Sequence, residues 1–248
     1  MATGRSPRSK THLADNLQDH EFVKLLLLLL LLHVRSYECA DRVKLSEYLW
    51  SATTKDQTAA LESGFVQGIK NGTLNPEAFG GYMVQDAVYC YMANKSLDTA
   101  AKRTTNDPIL KKFFEDTSYL YEIYYQSLFD TWFIEDPAGI KLGPECTKYV
   151  NHLHDVATRM DSIYLVVALT PCAKLWPWLG EQIKGGSFGV YEAWANANFV
   201  AGDTAFKEYE KLIDAADQAG AISRKSALEV YSKSMKGEAE FFGSIKVN

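Results

Sequence analysis

From Leu45 onward the apolar residues recur every three to four positions, and no convincing period-two alternation interrupts them. That spacing puts them on one face of successive α-helices. Leu45, Leu49, Ala52, Leu61, Phe65, Val66 and Ile69 form a first stripe. Asn75-Pro76-Glu77 is a start signal, with proline at the first helical position, where its missing N–H costs nothing. The helix it opens carries Phe79, Tyr82, Met83, Tyr89 and Met92. Asp107-Pro108 opens another, through Ile109, Phe113, Tyr121, Tyr124 and Phe129. Pro137, Gly139 and Gly143-Pro144 mark a loop. Two helices are predicted after it, near 144–160 and 161–184. Gly185-Gly186 ends the second, and a short helix runs through Trp194. Asp203 is expected to cap a helix near 206–219 that Gly220 stops, and Ser223 a last helix ending near Ile245. The sum is about eight helices on short loops, an all-α, single multi-helical bundle.

The first 40 residues break this pattern. Leu25 to Leu32 is an unbroken run of leucines, ended by His33 and Arg35. A helix that spans a bilayer needs about 20 apolar residues, so no stable membrane span is expected here. The run is long enough for the apolar region of a signal peptide, with Glu38-Cys39-Ala40 at a workable cleavage distance. Against that, Asp15, Asp19 and Glu21 precede it, and Glu38 suits a cleavage site poorly. Two readings stay open: a signal that sends the protein out of the cell, or a low-complexity leader on a cytoplasmic one. The chain accordingly divides into a leader, 1–40, and a helical domain, 41–248. Asn71-Gly72-Thr73 and Asn94-Lys95-Ser96 are acceptor sequons compatible with secretion, though such triplets also arise by chance.

Composition narrows the chemistry. With 47% apolar and 23% charged residues, the 248-residue chain is a folded one with a sizeable core. A net charge of −5 gives no global attraction for nucleic acid. The four cysteines, 39, 90, 146 and 172, form no CxxC, which disfavours zinc ribbons and thioredoxin-like redox chemistry. Only His152 and His154 lie in the helical body, and two apart on a helix they diverge. That disfavours haem ligation and di-iron sites, so no cofactor or metal is expected.

Three residues are anomalies. Asp86 has Tyr82, Met83, Tyr89 and Cys90 three and four positions away, so it points with an apolar set. Glu238 has Met235, Phe241 and Phe242 in the same relation. A carboxylate so placed is desolvated unless paired; the bland alternative is a solvated rim acid. Cys172 follows Pro171 inside the apolar segment Leu165 to Leu175, where the proline should kink the helix. A free thiol there is an inert core residue or a nucleophile that needs a nearby base.

In their order along the chain these residues resemble the thiaminase II (TenA) family. Gly68-Ile69-Lys70-Asn71-Gly72-Thr73-Leu74, Phe79, Tyr82 and Gln85-Asp86 are similar to its G-x-L…F…Y-x-x-Q-D stretch. Gly143-Pro144 leads to Tyr149, which falls on an active-site tyrosine, and Leu169-Thr170-Pro171-Cys172 resembles L-L-P-C. Tyr191 and Trp194 resemble Y-x-x-W, and Glu238 to Phe242 resembles E-x-x-F-W. The sequence departs from the pattern at Trp176 and Asn198, where the family has pocket tyrosines, and at Phe242, where it has Trp.

The resemblance implies a haem-oxygenase-like fold and a homo-oligomer, tetramer or dimer. It implies cleavage of thiamin, or a related aminopyrimidine, between pyrimidine and thiazole. Cys172 would be the nucleophile and Glu238 the acid–base. Asp86 would hold the exocyclic amine, Tyr89 would pack on the ring, Tyr149 would hydrogen-bond near the Cys and the acid, and Trp176 and Asn198 would line the pocket. The acceptor would be water or, in base exchange, another nucleophile. A non-catalytic binding or storage protein using the same pocket is the alternative.

Overall fold

The computed structural model describes residues 43–246. The leader, its leucine run, its cleavage site and the boundary at 40 lie outside the described residues. From Lys44 onward the described residues form one compact unit. Its elements are ten α-helices and two single turns of 3-10 helix, with no strand among the described residues.

Three short helices, α1 (Leu45–Ser51), α2 (Thr54–Leu61) and α3 (Gly64–Lys70), occupy the stretch of the first apolar stripe. Turns divide what reads as one stripe, and Ala52, at the first of them, is exposed. The division explains why the helices outnumber the eight expected. Two long helices follow, α4 (Pro76–Arg103) and α5 (Pro108–Thr131). They pack on each other along their length as a hairpin. Their start signals work as read. The Asn75 side chain accepts from Glu77 N–H at 2.8 Å, and one Asp107 oxygen accepts from Ile109 and Leu110 N–H at 3.1 and 2.9 Å.

The next pair is α6 (Pro144–Arg159) and α7 (Ile163–Ile183). α7 is apolar enough to cross a membrane by length and composition, but 67% of its most apolar stretch is buried, packed against α6, α9 and α10. It is the central core helix of the unit. α7 runs unbroken through Pro171 and Pro177, as the single helix predicted near 161–184. Each proline withholds one N–H, from the carbonyls of Val167 and Ala173. Packing against α6, α9 and α10 holds the helix across the gaps, so Cys172 lies within a continuous helix.

The chain closes with α8 (Glu192–Asn198), α9 (Phe206–Gln218) and α10 (Arg224–Gly243). Ser223 caps α10 as expected, and Gly220 follows α9 in the left-handed region at φ +67°. Asp203 does not cap α9. Its carboxylate accepts from Ala205 N–H at 2.9 Å, closing a turn just ahead of the helix. Of the two sequons, Asn71 is exposed. Asn94 is 4% exposed and donates to both Ser118 O and Ser118 Oγ. The folded protein therefore offers no glycosylation acceptor at Asn94.

Candidate active site

A cavity of about 350 Å3 opens between five elements, and each contributes side chains at helical spacing. α4 supplies Tyr82, Asp86, Tyr89 and Cys90, which are one face by their spacing of four, three and one. α5 supplies Leu120, Tyr121 and Tyr124; α7 supplies Cys172, Ala173, Trp176 and Pro177. α8 and the turn after it bring Ala197, Asn198, Val200 and Asp203, and α10 brings Glu238 and Phe241.

The anomalous acids of the sequence meet here. Asp86 is 7% exposed and Glu238 4%, so neither is a solvated rim residue. Burial pushes the Glu238 carboxyl up to about 7, eased by hydrogen bonds from Tyr149 and the Cys172 thiol. Burial also pushes Asp86 up to about 7, the nearby Glu238 charge adds to the rise, and a hydrogen bond from Tyr82 opposes it. Two carboxyl groups in one apolar cavity resist ionising together, and they titrate as a pair.

Cys172 is half-buried at the cavity wall and is a free thiol, as are the buried Cys90 and Cys146. Glu238 and Tyr121 both act on this thiol, Glu238 raising its pKa and Tyr121 lowering it. Burial and the two carboxylates push the thiol well above its ordinary range, so at neutral pH it carries its proton. What it has is a base in the same cavity: a nucleophile and a proton acceptor that act on each other.

Tyr149 does not line the cavity. It stands behind Glu238, buried, and its hydroxyl donates to Glu238 Oε1 at 2.7 Å. Its ring tilts against that of Tyr89 at 4.9 Å between centroids. Gly237 makes room for it, since a Cβ there would fall 2.8 Å from the Tyr149 ring. Gly237→Ala is therefore expected to wedge α6 from α10 and pull Tyr149 off Glu238. The destabilisation should be about 1–3 kcal/mol, a loss of several degrees in a thermal melt. An unchanged melting temperature would show that the ring moves freely.

The outer half of the cavity is built around the departures from the family pattern. Trp176 stacks on Phe199 with centroids 4.9 Å apart. Asn198 donates to Trp194 O at 2.8 Å and accepts from the Tyr124 hydroxyl at 3.2 Å. Gly180 lets this segment lie close, since a Cβ there would fall 2.5 Å from Phe199 O.

Several motif residues are scaffold rather than site. Gln85 accepts from Gly143 N–H at 2.7 Å and ties the loop ahead of α6 to α4. The Tyr191 hydroxyl donates to Leu74 O at 2.6 Å. Trp194 and Phe242 pack in a buried aromatic cluster with Phe65 and Tyr82. Sequence reasoning missed Cys90, Tyr121, Tyr124 and Asp203 as lining residues. The tyrosines read as a helix stripe and Asp203 as a cap. No signal separates a cavity tyrosine from a core tyrosine until the facing helices are known. The two body histidines stay apart: His152 pairs with Ser234 Oγ at 3.1 Å, and His154 is exposed.

Comparison with known proteins gives this arrangement a context. The chain is 24% identical over 203 residues to the thiamine biosynthesis multifunctional protein ThiED of Corynebacterium efficiens. That match covers 78% of this chain and 27% of the relative, so the chain spans about a quarter of that protein's length. A TenA family transcription regulator from Silicibacter sp. superposes with a TM-score of 0.70 at 18% identity, covering 81% of this chain and 96% of that one. A TenA homologue from P. horikoshii gives 0.68 at 19%, covering 81% and 97%. At such identities the structures speak for the fold, the all-helical haem-oxygenase-like one. The model of the TENA/THI-4/PQQC family matches residues 62–244. That span contains every described side chain lining the cavity, and the chain belongs to the TENA/THI-4/PQQC family.

Proposed function

We propose that the protein is a thiaminase, cleaving thiamin or a related aminopyrimidine through a covalent bond to Cys172. The observation that carries this reading is the half-buried Cys172 thiol beside the buried Glu238 carboxyl, together with a second buried acid, Asp86, in a cavity walled by aromatic rings. The thiamine biosynthesis name of the sequence relative points the same way.

The chemistry follows from the roles of these groups. The pyrimidine sits with its exocyclic amine at Asp86 and a ring nitrogen at Glu238, packed against Tyr89. The thiol proton passes to Glu238 as sulfur bonds to the ring carbon beside that nitrogen. Glu238 then gives the proton to the nitrogen, so the addition is balanced across one C=N bond. The exocyclic amine now pushes its electron pair into the ring. The bond from the methylene to the thiazolium nitrogen breaks, and neutral thiazole leaves with that bonding pair. The positive charge left on the amine lies beside Asp86, whose carboxylate favours it. Water adds to the methylene carbon and loses a proton, the ring expels the sulfur, and the thiol recovers its proton through Glu238. An organic amine in place of water gives base exchange.

Incubation with thiamin, with and without pyridine, tests the reading. Hydrolysis gives free thiazole and a hydroxymethylpyrimidine by mass spectrometry in both tubes. Base exchange gives a pyridinium product only when pyridine is present. Thiamin bound but intact in both would mean a binding protein on this fold.

A further inference from the structure

The walls of the cavity carry three acids, Asp86, Glu238 and Asp203, and among the described residues lining it there is no lysine, arginine or histidine. The acids are not grouped. Asp86 and Glu238 are buried at the inner end, whereas Asp203 is exposed in the turn after α8, beside Val200 and Asn198 at the outer end. The outer acid is held in place. Gly202, at φ +80°, lets the chain turn, Asp203 N–H donates to Val200 O at 3.1 Å, and one carboxylate oxygen accepts from Ala205 N–H. That bond uses an N–H just ahead of α9, a group that would otherwise be open to an anion. Lys174, two residues from Cys172, is turned away: it pairs with Glu210 at 2.5 Å and lies over the Trp50 ring. Tyr121, Tyr124 and Trp176 line the same cavity, and aromatic rings attract cations.

We infer that the outer half is a cation-selecting subsite: Asp203, with the rings of Tyr124 and Trp176 in the same wall, receives the positively charged half of the substrate and turns away phosphorylated forms. The inference rests on the aminopyrimidine reading of the inner half and deepens it. Recognition of a phosphate ester calls for guanidinium, ammonium or free backbone N–H groups, and these walls supply carboxylates instead. A phosphate on the far end of the ligand would meet Asp203 at the mouth. A thiazolium ring, or an amine cation arriving as acceptor, would meet a favourable charge there.

Binding to a Cys172→Ala protein, which leaves ligands intact, tests this without relying on turnover. Three probes are titrated by tryptophan fluorescence at fixed ionic strength: the neutral 4-amino-5-hydroxymethyl-2-methylpyrimidine, thiamin, and thiamin monophosphate. Thiamin should bind more tightly than the bare pyrimidine, and thiamin monophosphate at least about ten-fold more weakly than thiamin. Adding Asp203→Asn, which keeps the oxygen that accepts from Ala205, should weaken thiamin about two- to five-fold, as expected for an exposed charge. It should leave the bare pyrimidine unchanged. Adding Asp203→Lys should narrow the gap between thiamin and its monophosphate. Equal affinity for thiamin and its monophosphate overturns the inference, as does an Asp203→Asn effect that is absent or equal for thiamin and bare pyrimidine. Failure of the bare pyrimidine to bind at all would instead strike the aminopyrimidine reading and take the inference with it.

Discussion

Cys172→Ala should abolish thiamin cleavage, by at least about a thousand-fold in kcat, while the protein stays folded and still takes up the pyrimidine. The expectation comes from what the thiol would do. Among the described cysteines, Cys172 is the partly accessible one in the cavity: Cys90 lines it but is buried, and Cys146 points to Gln85 O at 3.8 Å. Truncating Cys172 removes the bond-forming atom but leaves Asp86, Tyr89 and Trp176 in place for binding. Cys172 is only half-buried and lines the cavity, so the small void costs little stability. Intact-mass measurement after rapid quenching adds a second readout. The wild-type protein should carry the mass of one methylpyrimidine unit on the peptide containing Cys172, and the variant none. Turnover within ten-fold of wild type in the variant would end the covalent mechanism, whatever its binding.

Much of the fold was legible because local signals and packing agree. Asn75-Pro76 and Asp107-Pro108 each mark a helix start by a mechanism that works in isolation, a side-chain oxygen for an orphan N–H and a ring with the right φ. Where neighbours decide, the sequence misleads. Pro171 and Pro177 would weaken a free helix, but α7 is enclosed by α6, α9 and α10 and stays continuous. Asp203 reads as a cap because it precedes a helix by three residues, yet its turn closes on Ala205 instead. The candidate site divides along the same line. Asp86 and Glu238 stand out as acids on apolar faces, a contradiction visible within one helix. Tyr121 and Tyr124 do not, because an aromatic on an apolar stripe contradicts nothing. Tyr149 was placed near the acid by the resemblance, and only the packing of α6 on α10 shows it behind the carboxyl rather than in the cavity.

Glu238→Gln separates proton transfer from shape. Glutamine keeps an oxygen to accept the Tyr149 hydrogen bond, so Tyr149 and the cavity should stay as they are. It cannot take the thiol proton or deliver one to the ring, and kcat should fall about 10²–10⁴-fold. In the wild type, kcat/KM should rise as pH climbs through about 7, where the Glu238–Asp86 pair ionises and a carboxylate becomes available to the thiol. In the variant that rise should vanish. Stability moves in the opposite sense. The Glu238 carboxyl is raised from 4.5 to about 7, so the folded protein holds this proton more tightly than the unfolded chain does. Between those values folding takes up a proton, stability falls as pH rises, and above about 7 the full penalty of a buried charge remains. The Asp86 carboxyl, raised from 3.8 to about 7, adds to the same trend. Glu238→Gln removes its share of that penalty. The variant should melt several degrees above wild type at pH 8 and close to it at pH 5, where Glu238 is already protonated. A variant that is both less active and less stable at pH 8 would mean that Glu238 is held as a charged structural partner. A variant that is more stable and nearly inactive is the signature of a carboxyl kept in an unfavourable place for the chemistry it performs.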